Sequence, residues 1–164
     1  MPTRIVTGDL LDQDVDVIVN AWNRNVIPWW LLLPRGVSGA IKRRAGTAPF
    51  RELARHGPIP LGGAVVTGAG RLQFRAIIHV AGINLYWLAT EWSIRRCVRS
   101  AIARAGELGA RSLAMPLIGA GTGGLRRGLV LAWMQDELDR CPFAGEVRLV
   151  CYAAPPPISG GTEC

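Results

Sequence analysis

The sequence predicts an α/β fold in which helices cover both faces of a largely parallel β-sheet. Short apolar segments typical of strands alternate along the chain with longer segments whose apolar residues recur at helical spacing. The second predicted strand, residues 15–20, is apolar at nearly every position after Asp16, which indicates burial on both faces. With 164 residues, 49% of them hydrophobic, the chain is long enough for one well-buried domain and short for two.

Six strands and four helices are predicted along the chain. The strands are expected at residues 4–7, 15–20, 64–67, 75–80, 112–115 and 147–151. The helices are expected at residues 36–45, 49–56, 90–108 and 125–138. We assign residues 1–153 to a single domain and expect residues 154–164, which include three consecutive prolines, to form a disordered tail.

Composition narrows the class of protein. The longest apolar run, residues 26–33, contains Pro28 and is far shorter than the roughly 20 residues of a membrane helix. The amino terminus does not resemble a signal peptide. The four cysteines form no CxxC pair and lie far from both histidines, so neither a disulfide framework nor a metal site is expected. We therefore expect a soluble cytoplasmic protein with no membrane contact, no metal and no cofactor.

The net charge of +7 leaves the partner open. Lys42 is the only lysine among nineteen basic residues, and the arginines are scattered, the densest group being Arg95, Arg96 and Arg99. Such an excess is compatible with contact to an anionic partner such as DNA or RNA, and equally with arginine-rich codon usage. The sequence does not indicate the oligomeric state.

A glycine-rich loop, residues 116–124 (PLIGAGTGG), lies between a predicted strand and a predicted helix. Glycines there permit unusual backbone torsions and leave no side chain between the main-chain N–H groups and a ligand. Backed by the positive end of a helix, such N–H groups bind anions. The loop therefore predicts a phosphate or diphosphate site. The alternative is a tight turn that is glycine-rich only so that strand and helix can pack.

The dinucleotide-binding interpretation of this loop is not supported by its context. Gly119, Gly121 and Gly124 satisfy the G-x-G-x-x-G spacing. A Rossmann domain, however, carries the loop after its first strand, and here only one strand follows. Asp139 lies at the end of a helix and not at the tip of a strand. A nicotinamide oxidoreductase is therefore disfavoured.

Two further segments are candidates for a site. Asn20 and Asn23 follow the second strand, at the sheet edge where ligands bind in open α/β folds, although asparagine also satisfies turn backbone. The loop 24–35 holds Trp29 and Trp30 between prolines. These tryptophans are expected to form a lid over a pocket, an oligomer contact or a cap on the core.

Five segments, in this order, resemble the macrodomain family. They are GDL at 8–10, VDVIVNAWN at 15–23, GVSGAI with AG between 36 and 46, IHVAG at 78–82 and MPLIGAGTGG at 115–124. The resemblance implies a three-layer α/β/α sandwich with a mixed, largely parallel sheet. It also implies a cleft along the carboxyl edge of the strands that binds ADP-ribose. Many members hydrolyse ADP-ribose from proteins or nucleic acids.

The resemblance also implies roles for individual residues. Asp9 would accept a hydrogen bond from the adenine amino group, a pure donor, with the Leu10 amide beside it. The 36–39 turn and the 119–124 loop would offer amides to the diphosphate from two sides. Asn23 would bind the distal ribose, which carries the scissile bond. The implied ligand-binding set is Asp9, Leu10, Asn20, Gly36, Val37, Gly39, Ile118, Gly119, Ala120, Gly121, Thr122, Gly123 and Gly124, with Trp29 and Trp30 as a candidate lid.

The chain departs from the family at its catalytic positions. Ser38 stands where the common hydrolytic branch carries an aspartate, and Gly123 stands where a second branch, with a nucleophilic lysine, carries one. One hypothesis is a hydrolase in which Asn23 orients the ribose and Ser38 or a backbone carbonyl places water. Its substrate would be ADP-ribosylated nucleic acid or an ester on a protein carboxylate. The other is a reader that binds ADP-ribose without cleaving it.

We favour the hydrolase, because a small single domain has no partner module to which a reading event could be transmitted. Ser38 as a covalent nucleophile is disfavoured, since no histidine lies near it in the sequence. His79 lies within a predicted strand and is expected to be a core group, or a group that supports the site from behind, and not a base.

Overall fold

The structure, a computed structural model, describes residues 2–31 and 36–153. The predicted tail at 154–164 lies outside these residues. The described chain forms one sheet of six strands: β1 Thr3–Thr7, β2 Val17–Trp22, β3 Ala64–Thr67, β4 Ala76–Ala81, β5 Ser112–Pro116 and β6 Glu146–Cys151. It also contains four α-helices: α1 Gly36–Ala45, α2 Ala48–Arg55, α3 Glu91–Glu107 and α4 Arg127–Leu138.

The strands are arranged in the order β1-β6-β5-β2-β4-β3. Every neighbouring pair is parallel except β3 with β4, which is antiparallel. The predicted mixed, largely parallel sheet is therefore confirmed. Because β1, β2, β4, β5 and β6 run the same way, their carboxyl ends lie along one edge of the sheet, where the loops that follow them are brought together.

Apolar side chains cover both faces of the sheet, as alternation along buried strands requires. Val17 and Val19 of β2 belong to the core cluster that contains residues of α3 and α4. Ile18, between them, belongs to the opposite cluster, which contains residues of α1 and α2. The helices thus form two outer layers, and the sheet between them is buried on both faces.

Most predicted boundaries agree with the structure to within two residues. The strand predicted at 15–20 instead runs from Val17 to Trp22. It begins late because Asp16 is held at the start of β5, where its N–H donates to Ser112 Oγ and its carboxylate accepts from the Arg111 N–H. The predicted helix at 125–138 begins at Arg127. A short 3-10 turn, Leu10–Asp12, was not predicted. No helix among the described residues is long and apolar enough to cross a membrane.

Candidate ligand-binding cleft

Two adjoining cavities lie at the carboxyl edge of the sheet. The larger has a volume of about 580 Å³ and the smaller about 260 Å³. Five of the described residues line both cavities and so mark their junction. These are Gly36 and Val37 at the start of α1, and Pro116, Leu117 and Gly121 after β5. The two turns predicted to share a cleft are therefore found on opposite walls of one.

The glycines of the 119–124 loop differ in whether packing leaves room for a side chain. Gly119 has φ +86°, and a Cβ there would lie 2.7 Å from the Cβ of Ala89. A Cβ at Gly123 would lie 2.6 Å from the carbonyl oxygen of Gly119. Packing therefore requires these two glycines. Gly121 has no heavy atom within 4 Å of the same position and lines both cavities. The packing interpretation thus holds for Gly119 and Gly123, and the bare main chain at Gly121 faces the cleft.

The amino end of α1 forms the opposite wall. Gly36 opens the helix with φ +58°, and Val37, Ala40 and Arg43 line the larger cavity from the same helix. The first N–H groups of a helix have no intrahelical partner, and they carry the positive end of the helix dipole. No acidic residue occupies the first turn of α1. This wall therefore suits an anion.

Ser38, which lines the smaller cavity, begins a chain of buried polar contacts. Its Oγ lies 2.8 Å from Oδ1 of Asn20 and 3.2 Å from the Ala21 carbonyl oxygen. Asn20 Nδ2 lies 3.0 Å from Nδ1 of His79, and His79 Nε2 lies 2.8 Å from Oγ1 of Thr67. Asn20, His79 and Thr67 are all buried. This series of hydrogen bonds therefore runs from the cleft through β2 and β4 to Thr67 on β3.

The chemistry of these groups fixes the direction of each hydrogen bond. Because Asn20 Nδ2 can only donate, Nδ1 of His79 accepts and Nε2–H of His79 donates to Thr67. Thr67 then donates to the Gly68 carbonyl oxygen at 3.0 Å. At the other end, Ser38 donates inward, to Asn20 or to Ala21. The lone pairs of the Ser38 oxygen are the part left for the cavity.

His79 is neutral in this network. Burial, and to a lesser extent the charge of His56, lowers the pKa of His79 from 6.5 to about 3. It is separated from Ser38 by the Asn20 amide, which does not titrate. The prediction that His79 is not a base is therefore consistent with the structure, and the hydrogen-bond partners of Ser38 among the described residues are Asn20 and Ala21, neither of which is a base.

Asp9 combines the two roles that the sequence left open. Its Oδ1 accepts from the Leu11 N–H at 2.8 Å and caps the 3-10 turn. Its Oδ2 lies 3.8 Å from Nη1 of Arg44. Asp9 and Leu10 both line the larger cavity. The aspartate is thus held by its own turn while it forms part of the wall.

Trp29 and Trp30, the candidate lid, lie outside the walls of the two cavities. Trp29 packs 6.4 Å from the Phe50 ring, centroid to centroid, with Nζ of Lys42 at 4.6 Å from its own ring. Trp30 is 65% exposed. Neither side chain lines the two cavities. Trp29 thus packs against the core on the α1–α2 side, the third of the alternatives that the sequence left open, and Trp30 lies on the surface. Part of this loop, residues 32–35, lies outside the described residues.

Three other predicted ligand contacts also require correction. Asn20 is fully buried behind the cleft and reaches it only through Ser38. Gly39 is buried within α1, and Gly124 is exposed, and neither lines the two cavities. The remaining predicted residues line the cleft. In the smaller cavity these are Asn23, Ser38, Ile118, Gly119, Thr122 and Gly123, and in the larger cavity Asp9, Leu10 and Ala120.

The structure adds wall residues that sequence reasoning missed. Trp22 and Trp87 line the smaller cavity, and Arg43 and Arg127 line the larger one. Trp87 has φ +62°, an unusual conformation for a tryptophan. It is held by Asn84, whose Oδ1 accepts from the N–H groups of Tyr86 and Leu88. Asn84 is a turn signal in the sequence, but nothing there shows that the turn faces the cleft.

Comparison with known proteins decides the family. A family model described as Macro domain matches residues 19–134. A macro domain-containing protein of Streptomyces griseus is 46% identical over 142 residues, which cover 82% of this chain and 72% of the relative. One from Streptomyces coelicolor is 38% identical over 145 residues, covering 83% of this chain and 77% of the relative. The chain belongs to the macrodomain family.

Solved macrodomains share the fold of this macrodomain. An Oceanobacillus iheyensis macrodomain variant solved with ADPR superimposes with a TM-score of 0.77 and 25% identity, covering 89% of this chain and 82% of that one. A Trypanosoma brucei macrodomain in complex with ADP gives a TM-score of 0.75 and 25% identity, covering 92% of this chain and 63% of that one. The expected macrodomain sandwich is therefore confirmed.

Proposed function

We propose that this macrodomain binds ADP-ribose and hydrolyses the bond that links it to a modified macromolecule, a nucleic acid or a protein carboxylate. The observation that carries the proposal is the junction of two cavities at Gly36, Val37 and Gly121. ADP-ribose has the matching shape, because its diphosphate joins an adenosine to a second ribose. Solved relatives contain ADPR or ADP.

The diphosphate would lie at the junction, held by main-chain N–H groups. The amino end of α1 offers its unpaired N–H groups and its dipole from one side, and the bare loop at Gly121 approaches from the other. None of the five residues that line both cavities is charged. Recognition of the anion would therefore rest on backbone geometry.

The two remaining parts of the ligand would fill the two cavities. The adenosine would occupy the larger one, where Asp9 offers an acceptor to the adenine amino group. The distal ribose would occupy the smaller one, beside Asn23, Ser38 and Trp87. Asn23 Oδ1 accepts from the Asn25 N–H at 2.7 Å, which orients its amide for hydrogen bonding to a ribose hydroxyl.

Hydrolysis would use positioned water. The bond from the anomeric carbon to the carrier breaks, the water oxygen bonds to that carbon, and the water proton passes to the carrier. Ser38 contributes an acceptor that orients this water or a ribose hydroxyl, because its own hydrogen is directed inward. Proximity and electrostatic stabilisation of the departing group supply the rate enhancement.

A second candidate, a reader that binds without cleaving, is favoured by one observation. Within the part of the chain that the structure describes, no aspartate, glutamate, histidine or lysine lines the smaller cavity, so that part of the wall offers no ordinary general base. The two candidates make the same prediction for binding and opposite predictions for turnover.

The test combines calorimetry with a release assay. Calorimetry with ADP-ribose should show binding. Incubation with ADP-ribosylated DNA and with carboxyl-ADP-ribosylated protein should release free ADP-ribose from at least one of them. Asn23→Ala should abolish release, whereas Gln73→Ala, an exposed change on the loop before β4, should not. Binding without release supports the reader, and failure of ADP-ribose to bind refutes both.

A further inference from the structure

We propose that Arg43 and Arg127 form an anion subsite that recognises a phosphate group attached to the adenosine side of ADP-ribose. The inference rests on the proposed function, because it takes the larger cavity to hold the adenosine. Both arginines line that cavity, one from α1 and one from α4. They therefore bring two positive charges to the end of the cleft that would receive the uncharged nucleoside.

The position of Arg43 separates it from the diphosphate junction. Gly36, Val37, Ala40 and Arg43 lie on one face of α1, at the spacing that aligns side chains along a helix. Seven residues at the helical rise place the Arg43 Cα about 10 Å along the axis from Gly36. The amides of the first turn are thus available for the diphosphate, and Arg43 lies further along the larger cavity.

Arg127 approaches from the opposite wall, at the first turn of α4. Its Nη2 donates to the carbonyl oxygen of Tyr152 at 2.9 Å, and Tyr152 also lines the larger cavity. This bond fixes one edge of the guanidinium. A guanidinium has five N–H donors, so the others remain for an oxyanion, which guanidinium groups bind well.

Neither arginine is neutralised by a carboxylate. Within the described residues, no Asp or Glu oxygen lies within 4 Å of either guanidinium, whereas the neighbouring Arg44 lies 2.8 Å from Asp12 and 3.8 Å from Asp9. Among residues 2–31 and 36–153, no charged side chain lines the smaller cavity. The larger cavity also has one carboxylate in its wall, Asp9, which lies 3.8 Å from Arg44, so the described wall at that end has two arginines and a single acidic residue.

The adenosine half of ADP-ribose offers attachment points for such an anion in the hydroxyls of its ribose. A phosphate monoester on the 2′-hydroxyl would supply it, as would the diphosphate of a second ADP-ribose unit joined to that hydroxyl. Both sources present phosphate oxygens to the two guanidinium groups, and charge-assisted hydrogen bonds of this kind are strong. The ligand class is thus ADP-ribose extended by phosphate on its adenosine side.

The experiment compares three ligands by calorimetry at low and at high salt: ADP-ribose, ADP-ribose 2′-phosphate and an ADP-ribose dimer. At low salt, the phosphorylated ligand or the dimer should bind roughly tenfold more tightly than ADP-ribose, and the preference should shrink as salt screens the charges. Whichever extended ligand shows the larger preference identifies the source of the phosphate.

Variants then assign the preference to the two arginines. Arg43→Gln combined with Arg127→Gln should reduce the ratio of affinities to about one. Arg51→Gln, an exposed change on α2 that lines neither cavity, should leave the ratio as in the wild type. Equal affinity of the wild type for all three ligands overturns this inference alone. A preference that survives in the double variant also overturns it. No binding of any ligand overturns the proposed function as well.

Discussion

Ser38 and Asn20 are joined by a hydrogen bond of 2.8 Å that crosses from the wall of the cleft into the buried sheet. The pair matters because Ser38 lines the smaller cavity, where the distal ribose is proposed to lie. A serine whose hydrogen points inward offers only an acceptor to the cleft, and neither of its partners in the described chain, Asn20 Oδ1 and the Ala21 carbonyl oxygen, is a base that could remove its proton. The geometry therefore favours Ser38 as a group that orients water over Ser38 as a nucleophile.

Removal of this hydroxyl should affect both stability and function. Ser38→Ala leaves Asn20 Oδ1 without its closest donor in a buried position, which costs about 1–3 kcal/mol of unfolding free energy. Ser100→Ala is a matched control, since Ser100 donates to the Gly62 carbonyl oxygen at 2.7 Å, away from both cavities. Urea unfolding and ADP-ribose release should be measured for both. Release should fall only in Ser38→Ala, and equal release in the two variants would contradict the role of Ser38.

His79 should make the protein less stable in mild acid. Its pKa in the folded state, about 3, lies below the ordinary 6.5 that applies in the unfolded chain. Between these values the unfolded state binds the extra proton, so stability is complete above pH 6.5 and falls as the pH decreases towards 3. Each pH unit in this window removes up to about 1.4 kcal/mol.

The measurement is the free energy of unfolding in urea at pH 5, 6 and 7.5, for the wild type and for His79→Gln. Carboxylates such as Asp136 and Glu146, whose pKa values are lowered by Arg95 and Arg148 respectively, add to acid destabilisation in both proteins. The difference between the two slopes therefore isolates His79. Identical slopes would show that the histidine is not buried in its neutral form.

Adenine recognition can be separated from the capping role of Asp9. Asp9→Asn keeps an oxygen to cap the Leu11 N–H and replaces the second carboxylate oxygen by an NH₂ donor. Affinity for ADP-ribose should fall roughly tenfold. The hypoxanthine analogue has an oxygen in place of the amino group, so the ratio of its affinity to that of ADP-ribose should be higher in the variant than in the wild type. Calorimetry with both nucleotides checks the exchange. A loss that is equal for both would indicate that Asp9 acts on the fold and not on the base.

The bare main chain at Gly121 should be sensitive to a single methyl group. Gly121→Ala places a Cβ in open space on the wall of both cavities, so the protein should fold normally while a phosphate is kept from the amides. Loss of charge-assisted hydrogen bonds should weaken ADP-ribose binding by roughly tenfold or more. Gly128→Ala, which also meets no atom within 4 Å but lines neither cavity, is the control. If both variants bind like the wild type, the diphosphate does not lie at this junction.

Trp87 should contribute to ligand binding, because it lines the smaller cavity proposed for the distal ribose, although its positive φ strains the backbone. Trp87→Gly relieves the positive φ, worth about 1 kcal/mol, which partly offsets the packing lost with the ring. Thermal unfolding should therefore change little, whereas ADP-ribose binding weakens because a wall of the smaller cavity is removed. Trp30→Ala, a change at an exposed tryptophan outside the cleft, should alter neither quantity. Normal binding by Trp87→Gly would show that this wall is not used.

The fold was accessible from the sequence because burial on both faces gives β2, β4 and β5 continuous apolar runs, and because the glycine loop lies after a strand. Asn20 shows where such reasoning stops. It was expected at the end of β2, but the strand continues to Trp22 and Asn20 pairs in register with His79. Strand alternation then turns it inward with Ile18. A two-residue error in the end of a strand thus moved a predicted ligand contact into the core.

The tryptophans show the same limit. Trp29 and Trp30 were predicted as a candidate lid because they are adjacent and flanked by prolines. Trp87, which lines the cleft, has no such sequence signal apart from the nearby turn residue Asn84. The positive φ of Trp87 belongs to the local turn held by Asn84, and a turn of this kind leaves no periodic pattern in the sequence. Likewise, Arg43 and Arg127 are far apart in the sequence, and they line the same cavity because the fold places α1 and α4 beside it.

Binding of the diphosphate by main-chain N–H groups, as proposed, has a consequence for how side-chain substitutions change the activity of the site. In the proposed site, substitutions at Ser38 or Asn23 would alter the fate of the ribose and leave the amides of Gly36, Val37 and Gly121 in place, because every residue except proline has a main-chain N–H. The polarity of these amides would also stay constant across the physiological pH range, because peptide N–H groups do not ionise there. Under the proposal, retention of the nucleotide and the fate of its linkage would therefore be separable traits within one scaffold.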